Sequence, residues 1–361
     1  MRAILLGGGV SLLISLLGTR VAIRMLTRRG YGQEIRDDGP TTHHTKRGTP
    51  TMGGVVIIAA TVIGYALAKL ITLSAPSASA LLLLFLFVGV GAVGFLDDYI
   101  KIAKQRSLGL RSKAKMVGLT AVALAFGWLA LAAPLADENG RTPASLKVSF
   151  LREIDWLLLP TVLALVLIWL IVTGFSNAVN LTDGLDGLAT GASVMVFGAY
   201  TLVNIWQNNQ SCEFNPGSFC YDVRDPLDLA VIAAAITGAC FGFLWWNASP
   251  AAIFMGDTGS LALGGALAGL AVLTRTELLA VILGGLFVIE TLSVMLQVTW
   301  FKTTRRLTGT GRRVFRIAPI HHHFEMLGWE QVTVVIRFWI ITGLFVATGL
   351  GLFYAEWVAR T

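Results

Sequence analysis

Long apolar segments recur along the whole chain and alternate with short polar segments. Ten of them reach the length that an α-helix needs to cross the hydrocarbon core of a bilayer, about 20 residues. The pattern therefore predicts an all-α fold, a polytopic membrane bundle that forms a single transmembrane domain over residues 1–361. The predicted spans are 3–25, 53–73, 79–97, 115–135, 156–175, 187–206, 228–246, 259–274, 278–300 and 332–355.

The composition agrees with a membrane protein. Of the 361 residues, 55% are hydrophobic and only 14% are charged, whereas about a quarter of a soluble domain is charged. The first apolar segment leads into Arg28 without a small-residue cleavage site, so we expect a retained span rather than a cleaved signal peptide. The net charge of +7 lies in short loops between spans, where it indicates orientation rather than a nucleic-acid partner.

Lysine and arginine are distributed unequally between the two sets of loops. The loops after predicted spans one, three and nine carry 17 of them, and the opposite loops and termini carry seven. Because positively charged loops stay in the cytoplasm, we expect the first set to be cytoplasmic and both termini to lie outside the plasma membrane. The polar motifs described below fall at the cytoplasmic ends of spans, so we expect the chemistry on that face.

Two of the three cysteines flank a polar loop that this orientation places outside. Cys212 and Cys220 are an even pair in an oxidising compartment and can form a disulfide, although their spacing alone does not decide it. Cys240 lies within an apolar segment and is expected to be a small core residue.

A ladder of polar side chains follows the fifth predicted span. In the segment Ser176–Ala189, four amide or carboxylate residues recur at every third position: Asn177, Asn180, Asp183 and Asp186. An α-helix would spread them over roughly half of its circumference, whereas a tighter 3₁₀ turn would align them in one row. A helix cap needs only one such residue, so the four favour a site for a metal ion, a phosphate or a sugar.

Three further carboxylates lie at the ends of predicted spans. Asp97 and Asp98 end the third span, and Asp257 stands in a Gly-Asp-Thr-Gly turn before the eighth. Each has a simpler explanation, an ion pair with Lys101 for the first two and a helix cap for the third. Their position on one face with the ladder favours a shared centre, because such carboxylates suit Mg²⁺ and leave positions for a substrate phosphate. Nearby Phe254 can stack on a base or sugar, or be buried in its loop.

Two segments near the same face carry basic and histidine side chains. Segment 43–54 is rich in glycine and hydroxyl groups, and its Lys46 and Thr51 can contact phosphate, although an ordinary positively charged flank explains it equally well. His321, His322 and His323 cannot all point one way, so we expect at most two in one site. With arginines nearby and no cysteine on this face, phosphate contact or proton transfer fits better than zinc, and a solvated loop is the alternative.

Predicted span nine carries Glu290 and Gln297 on one face. An ionisable residue within a span indicates a function unless a partner such as Arg337 neutralises it, and the role of Glu290 stays open. Gln297 lies nearer the cytoplasm and can border the site.

Five motifs together resemble one family of membrane enzymes. D-D-Y-I-K at 97–101, N-A-V-N-L-T-D-G-L-D-G-L at 177–188 and F-M-G-D-T-G-S at 254–260 resemble the polyprenyl-phosphate N-acetylhexosamine-1-phosphate transferases. K-R-G-T-P-T-M-G-G at 46–54 and P-I-H-H-H-F-E at 319–325 resemble the branch of that family that acts on a muramoyl-pentapeptide. The five motifs occur in the order of the family, on the ten predicted spans.

The resemblance implies a reaction in the bacterial plasma membrane. Phospho-MurNAc-pentapeptide would pass from UDP-MurNAc-pentapeptide to undecaprenyl phosphate, with release of UMP and a requirement for Mg²⁺. Asp257 would be the main metal ligand with Asp97 and Asp98 beside it, and Asp97 would deprotonate or orient the lipid phosphate. The substrate-binding residues that the resemblance implies are Lys46, Thr51, Asn177, Asn180, Asp183, Asp186, Asn247, Phe254, Gln297, His321, His322 and His323.

Two other functions remain open at this point. One is the loading of GlcNAc-1-phosphate onto the same lipid, against which segments 46–54 and 319–325 argue. The other is an ion-coupled transporter, which predicts carboxylates at mid-membrane rather than at span ends. The resemblance is also compatible with a homodimer.

Overall fold

The computed structural model describes residues 1–28, 48–104, 109–213, 216–217 and 220–359 of the chain. Within these ranges the fold consists of helices and one two-stranded antiparallel hairpin. The helices are α1 Arg2–Arg28, α2 Gly54–Thr72, α3 Ala78–Ala103, α4 Ser112–Leu131, α5 Thr161–Thr182, α6 Leu188–Asn209, α7 Pro226–Asn247, α8 Gly256–Leu273, α9 Glu277–Leu283, α10 Gly285–Thr308, α11 Ile320–Glu325 and α12 Gln331–Val358, with a 3₁₀ turn at Ala133–Leu135. The strands are β1 Lys147–Ser149 and β2 Glu153–Leu158.

Ten of these helices are long and apolar enough to cross a membrane, which confirms the predicted number of spans. Several boundaries differ from the prediction: α3 continues to Ala103 rather than to residue 97, and α5 continues to Thr182 rather than to residue 175. Span five begins at Thr161 rather than at residue 156, because proline disfavours a helical residue before it and α5 starts directly after Pro160. Predicted span nine is divided at Gly284 into the short α9 and the longer α10, which continues to Thr308.

Helix α8 forms the centre of the bundle and is almost completely buried. It packs against α2, α3 and α5, and its many glycines and alanines allow this close approach. A Cβ atom built on Gly54 of α2 would lie 2.8 Å from the carbonyl carbon of Thr258. The first turn of α8 is therefore held directly against its neighbours, and this contact positions the candidate site.

The opposite end of the bundle carries the hairpin, which the apolar pattern did not predict. Its backbone at Ser149 donates to the Glu277 carboxylate at 3.0 Å, and Arg275 pairs with Glu153 at 2.8 Å. Burial raises the pKa of Glu277 to about 8. These contacts attach the hairpin to the turn between α8 and α9.

The polar loop after α6 is closed by a disulfide between Cys212 and Cys220. Arg152 donates to the carbonyl oxygen of Cys220 at 2.7 Å and pairs with Glu356 near the end of α12 at 2.9 Å. The loop is thus tied to the last membrane helix. Cys240 is a buried free thiol in α7, as expected for a core residue.

Candidate active site

Helices α3 and α8 bring three carboxylates together. Asp97 and Asp98 lie in the last two turns of α3, where both are buried, and Asp257 lies in the first turn of α8. Gly94 allows this approach, because a Cβ atom at that position would lie 2.5 Å from the carbonyl carbon of Asp257. One oxygen from each carboxylate lies within 4.8 Å of the other two. The sequence motifs 160 residues apart thus form one cluster in space.

Asp98 caps helix α8 from outside that helix. Its carboxylate accepts hydrogen bonds from the backbone N–H groups of Asp257 at 3.2 Å and Thr258 at 2.9 Å, and from the Thr258 hydroxyl at 2.7 Å. The free N–H groups and the positive end of the helix dipole both stabilise a carboxylate there. The unfavourable position of Asp98 at the C-terminal end of α3 is therefore offset by the N-terminal end of α8.

Two lysines complete the cluster, and only the first was considered from the sequence. The Lys101 ammonium lies 2.6 Å from Asp97 and 3.5 Å from Asp98, the ion pairs that the sequence offered as the simpler alternative, and also 2.9 Å from Asp257. Lys115, from the first turn of α4, lies 2.9 Å from the same Asp257 oxygen. No spacing rule links Lys115 to a residue 142 positions away, so the sequence offered no signal for this contact.

The donor set fits the predicted magnesium ion. All three candidate ligands supply carboxylate oxygens, the donor type that Mg²⁺ prefers. The Lys101 ammonium already lies among the three carboxylates, so the geometry of the cluster stabilises a positive charge at its centre. Asp97, Asp98 and Asp257 can therefore hold a metal ion.

The first half of the ladder lies on helix α5, so the side chains diverge as the spacing requires in an α-helix. Asn177 donates to the Thr173 carbonyl oxygen of its own helix at 2.7 Å. Asn180 instead donates to Asp257 at 2.7 Å and to the Ser260 hydroxyl at 2.8 Å. Of these two amides, Asn180 joins the carboxylate cluster and Asn177 does not.

The second half of the ladder lies in the turn between α5 and α6. Asp186 is buried and accepts a hydrogen bond from the Ala251 N–H at 3.1 Å, which fixes the loop before α8. Desolvation, followed by the negative charges of Asp257, Asp98 and Asp186, raises the pKa of Asp183 to about 8. Asp183 therefore lies close enough to the cluster for the negative charges of Asp98 and Asp257 to raise its pKa.

The glycine-rich segment before α2 lies along the loop before α8. Phe254 donates its N–H to Pro50 at 2.8 Å, and Gly53 donates to Phe254 at 2.9 Å. This pairing places the buried Thr51 beside Gly256, with its hydroxyl 3.0 Å from a Cβ atom built there, and leaves Phe254 partly exposed. Thr51 and Phe254 thus lie beside the cluster, whereas Lys46 lies outside the described residues.

Two of the predicted substrate-contacting amides are bonded to the chain itself. Asn247 is buried, donates to the Ile253 carbonyl oxygen at 3.0 Å and accepts from the Thr190 hydroxyl at 2.7 Å. Gln297 accepts from the N–H groups of Val314 and Phe315, each at 3.0 Å, and donates to the Phe315 carbonyl oxygen. In this arrangement the two amides shape the loops that border the site.

The three histidines have three different partners, in agreement with the expectation that they do not all point one way. His321 lies 3.0 Å from Glu290, and His322 lies 2.6 Å from Glu325. His323 accepts a hydrogen bond from the backbone N–H of Arg316 at 3.1 Å. The suggested partner of Glu290 was wrong, since the Arg337 guanidinium lies over the Trp329 ring at 4.0 Å.

Comparison with known proteins identifies relatives along the whole chain. Residues 80–275 match the model of the family described as glycosyl transferase family 4, and residues 46–58 match the phospho-N-acetylmuramoyl-pentapeptide-transferase signature 1. A protein of Nocardioides sp. with the name phospho-N-acetylmuramoyl-pentapeptide-transferase is 78% identical, over 99% of this chain and 100% of its own. Proteins of the same name are 63% identical in Cutibacterium acnes, over 99% of both chains, and 58% identical in Streptomyces avermitilis, over 100% of this chain and 99% of the relative.

Proposed function

Since this chain belongs to the phospho-N-acetylmuramoyl-pentapeptide-transferase family and is a transferase of peptidoglycan synthesis, we propose that the carboxylate cluster is its reaction centre. One observation carries the proposal. Asp97, Asp98 and Asp257 meet within 4.8 Å at the ends of helices long enough to cross a membrane. This is where the phosphate of a membrane lipid and a water-soluble nucleotide can reach the same groups.

The substrates follow from the name of the relatives. The donor is UDP-MurNAc-pentapeptide and the acceptor is a polyprenyl phosphate, which we take to be undecaprenyl phosphate. A lipid phosphate oxygen attacks the β-phosphorus of the donor, the bond from that phosphorus to the bridging oxygen breaks, and UMP leaves. Trapping of a phosphorylated Asp97 peptide during turnover would contradict this direct attack and favour a covalent intermediate.

Asp257, Asp97 and Asp98 are the residues that would hold Mg²⁺, and Asp98 is also the cap of α8. When bound, the ion neutralises the pyrophosphate and stabilises the leaving phosphate. The residues of the chain supply the orientation: Asn180 holds one oxygen of Asp257 at 2.7 Å, and the Leu110 N–H holds one oxygen of Asp97 at 2.7 Å. The second oxygen of Asp97 faces Lys101 and is the candidate base or orienting group for the lipid phosphate.

The Lys115 side chain provides a test of this centre. We expect Lys115→Met to lower the rate of UMP release about 100-fold, because it removes a positive charge held 2.9 Å from Asp257. The matched control is Lys113→Met. This variant also removes one positive charge, but from an exposed side chain two residues before Lys115. Equal activity of the two variants would contradict a role for Lys115 at the centre.

We further propose that the centre faces the cytoplasm and that both termini lie outside. The loops rich in lysine and arginine join the same helix ends as Asp97. The Cys212–Cys220 disulfide belongs to the other end, where an oxidising compartment would preserve it. A reporter enzyme that folds only on the extracytoplasmic side of the membrane should be active when fused after Thr361. The same reporter should be inactive when fused after Gly309. The reverse result would overturn the orientation.

The reaction itself is tested with purified protein in detergent. UMP should be released from UDP-MurNAc-pentapeptide in the presence of undecaprenyl phosphate and Mg²⁺, and EDTA should stop the release. UDP-GlcNAc in place of the donor tests the rival transferase, and substrate uptake into liposomes without UMP tests the transporter. Neither alternative is favoured by the relatives. Folded protein that releases no UMP would contradict the proposal.

A further inference from the structure

Two histidine–carboxylate pairs lie beside the candidate site. His321 and Glu290 are completely buried, and His321 Nδ1 lies 3.0 Å from a Glu290 oxygen. His322 Nδ1 lies 2.6 Å from a Glu325 oxygen, with 17% of the His322 side chain exposed. The two rings are neighbours, with 4.2 Å between their centres. The same arrangement, a carboxylate on Nδ1, thus occurs twice in adjacent residues.

In both rings the Nε2 edge, opposite the carboxylate on Nδ1, faces the ladder. A Cβ atom built on Gly184 would lie 3.1 Å from His322 Nε2 and would clash with His321 Nε2. Gly184 follows Asp183 in the ladder, so the histidine turn is packed directly on the turn between α5 and α6. A side chain at position 184 would therefore displace the His321 ring and press on the His322 ring.

The burial of Glu290 requires an explanation. An ionisable side chain inside a span is unfavourable unless it is paired, and within the described part of the chain the Glu290 carboxylate has the His321 ring as partner. Apart from this contact, the Glu290 oxygens and the His321 ring nitrogens have no hydrogen-bond partner among the described residues. A buried pair of this kind is weak evidence for stability. It does fix the orientation of the imidazole ring and the nitrogen that carries the proton.

We infer that Glu290 and Glu325 are positioning residues for the nucleotide substrate. Each carboxylate fixes one imidazole so that Nε2 faces the ladder turn. Because Nδ1 donates its N–H to the carboxylate, Nε2 of the partly exposed His322 is left to accept a hydrogen bond from an N–H or O–H group of the nucleotide substrate there. The buried His321 holds the His322 ring in place. The inference rests on the proposed function, because it requires the donor to bind between the ladder turn and the carboxylate cluster.

The experiment compares Glu325→Gln and Glu290→Gln with wild type, with kcat and KM measured separately for both substrates. We expect KM for UDP-MurNAc-pentapeptide to rise about tenfold in each variant, since loss of an orienting carboxylate typically has this effect or more. KM for undecaprenyl phosphate should stay unchanged, because the inference assigns this turn to the nucleotide substrate alone. His322→Asn alone and Glu325→Gln/His322→Asn together should be equally impaired, because the carboxylate acts only through the ring.

The control is Ser293→Ala, which removes another contact between α10 and α11, the hydrogen bond from Ile320 N–H at 3.1 Å. If the two glutamates had a merely structural role, Glu290→Gln, Glu325→Gln and Ser293→Ala would lose thermal stability alike. The KM values of the two substrates would then either both change or both stay the same. If Glu290→Gln fails to fold, the more exposed Glu325→Gln decides. Unchanged donor KM in folded Glu325→Gln, or multiplicative effects in the double variant, would overturn the inference. Failure of wild type to release UMP would instead refute the proposed function, and the inference with it.

Discussion

Asp257→Asn is expected to reduce UMP release by about 1,000-fold while the protein remains folded. The carboxylate of Asp257 forms ion pairs with Lys101 and Lys115 and accepts a hydrogen bond from Asn180. The amide of asparagine carries no charge to attract the two ammonium groups or a metal ion. Loss of a single preorganised electrostatic contact costs up to about 4 kcal/mol of transition-state stabilisation in comparable sites, or roughly a factor of 1,000. Steady-state release of UMP by the purified variant measures the effect.

The matched control for Asp257→Asn is Asp155→Asn. Asp155 is an aspartate on the hairpin at the opposite end of the bundle, with its side chain 89% exposed, and its replacement should leave UMP release unchanged. Wild-type activity should disappear with EDTA and return with excess Mg²⁺. If Asp257→Asn retained full activity, the reaction would stand but the assignment of the metal centre would be wrong.

Gly94→Ala is expected to be strongly destabilising, because it adds a methyl group at the closest approach of α3 to α8. The added Cβ would meet the Asp257 carbonyl carbon at 2.5 Å and the Thr258 Cα at 2.8 Å. Both are backbone atoms of the buried α8, which cannot rotate away as a flexible side chain would. Overpacking of this kind lowers the free energy of unfolding by about 3 kcal/mol, and the displacement of Asp257 should also remove activity.

A thiol-reactive dye measures this loss of stability during heating. Cys240 is buried and free while the other two cysteines are joined, so the dye reports the unfolding of the bundle. The matched control is Gly198→Ala in α6, where nothing lies within 4 Å of the added Cβ and alanine is the better helix former. A melting temperature of Gly94→Ala equal to that of Gly198→Ala would contradict the close packing of α3 on α8.

The sequence was informative wherever one segment determines its own structure. The number of spans follows from the length of the apolar segments, and the pairing of Lys101 with Asp97 and Asp98 follows from helix spacing. The β2 strand escaped prediction because Trp156 and Leu158 continue the apolar run of α5, and only Pro160 marks the boundary.

Contacts between distant segments could not be predicted in the same way. The acidic motifs were recognised, but the cap that Asp98 places on α8 depends on how Gly94 lets two helices approach. The same holds for Lys115 on Asp257 and for His321 on Glu290. In each case the packing of the bundle selects the partner, and several equally suitable charged residues stand in the sequence.

Lys101 pairs both with Asp97 of its own helix and with Asp257 of α8. This arrangement has a consequence for the order in which the contacts form during biogenesis. The ion pair between Lys101 and Asp97 lies within α3 at a spacing of four residues, so it can form as soon as that helix exists. Asp257 is synthesised 156 residues later, and Asp98 caps nothing until α8 has been inserted. We therefore expect α3 to enter the bilayer with the negative charge of Asp97 already offset by Lys101. The Asp257 carboxylate can reach the same ammonium only when α8 packs on α3, so we expect Lys101 to pair first within its own helix and afterwards between helices.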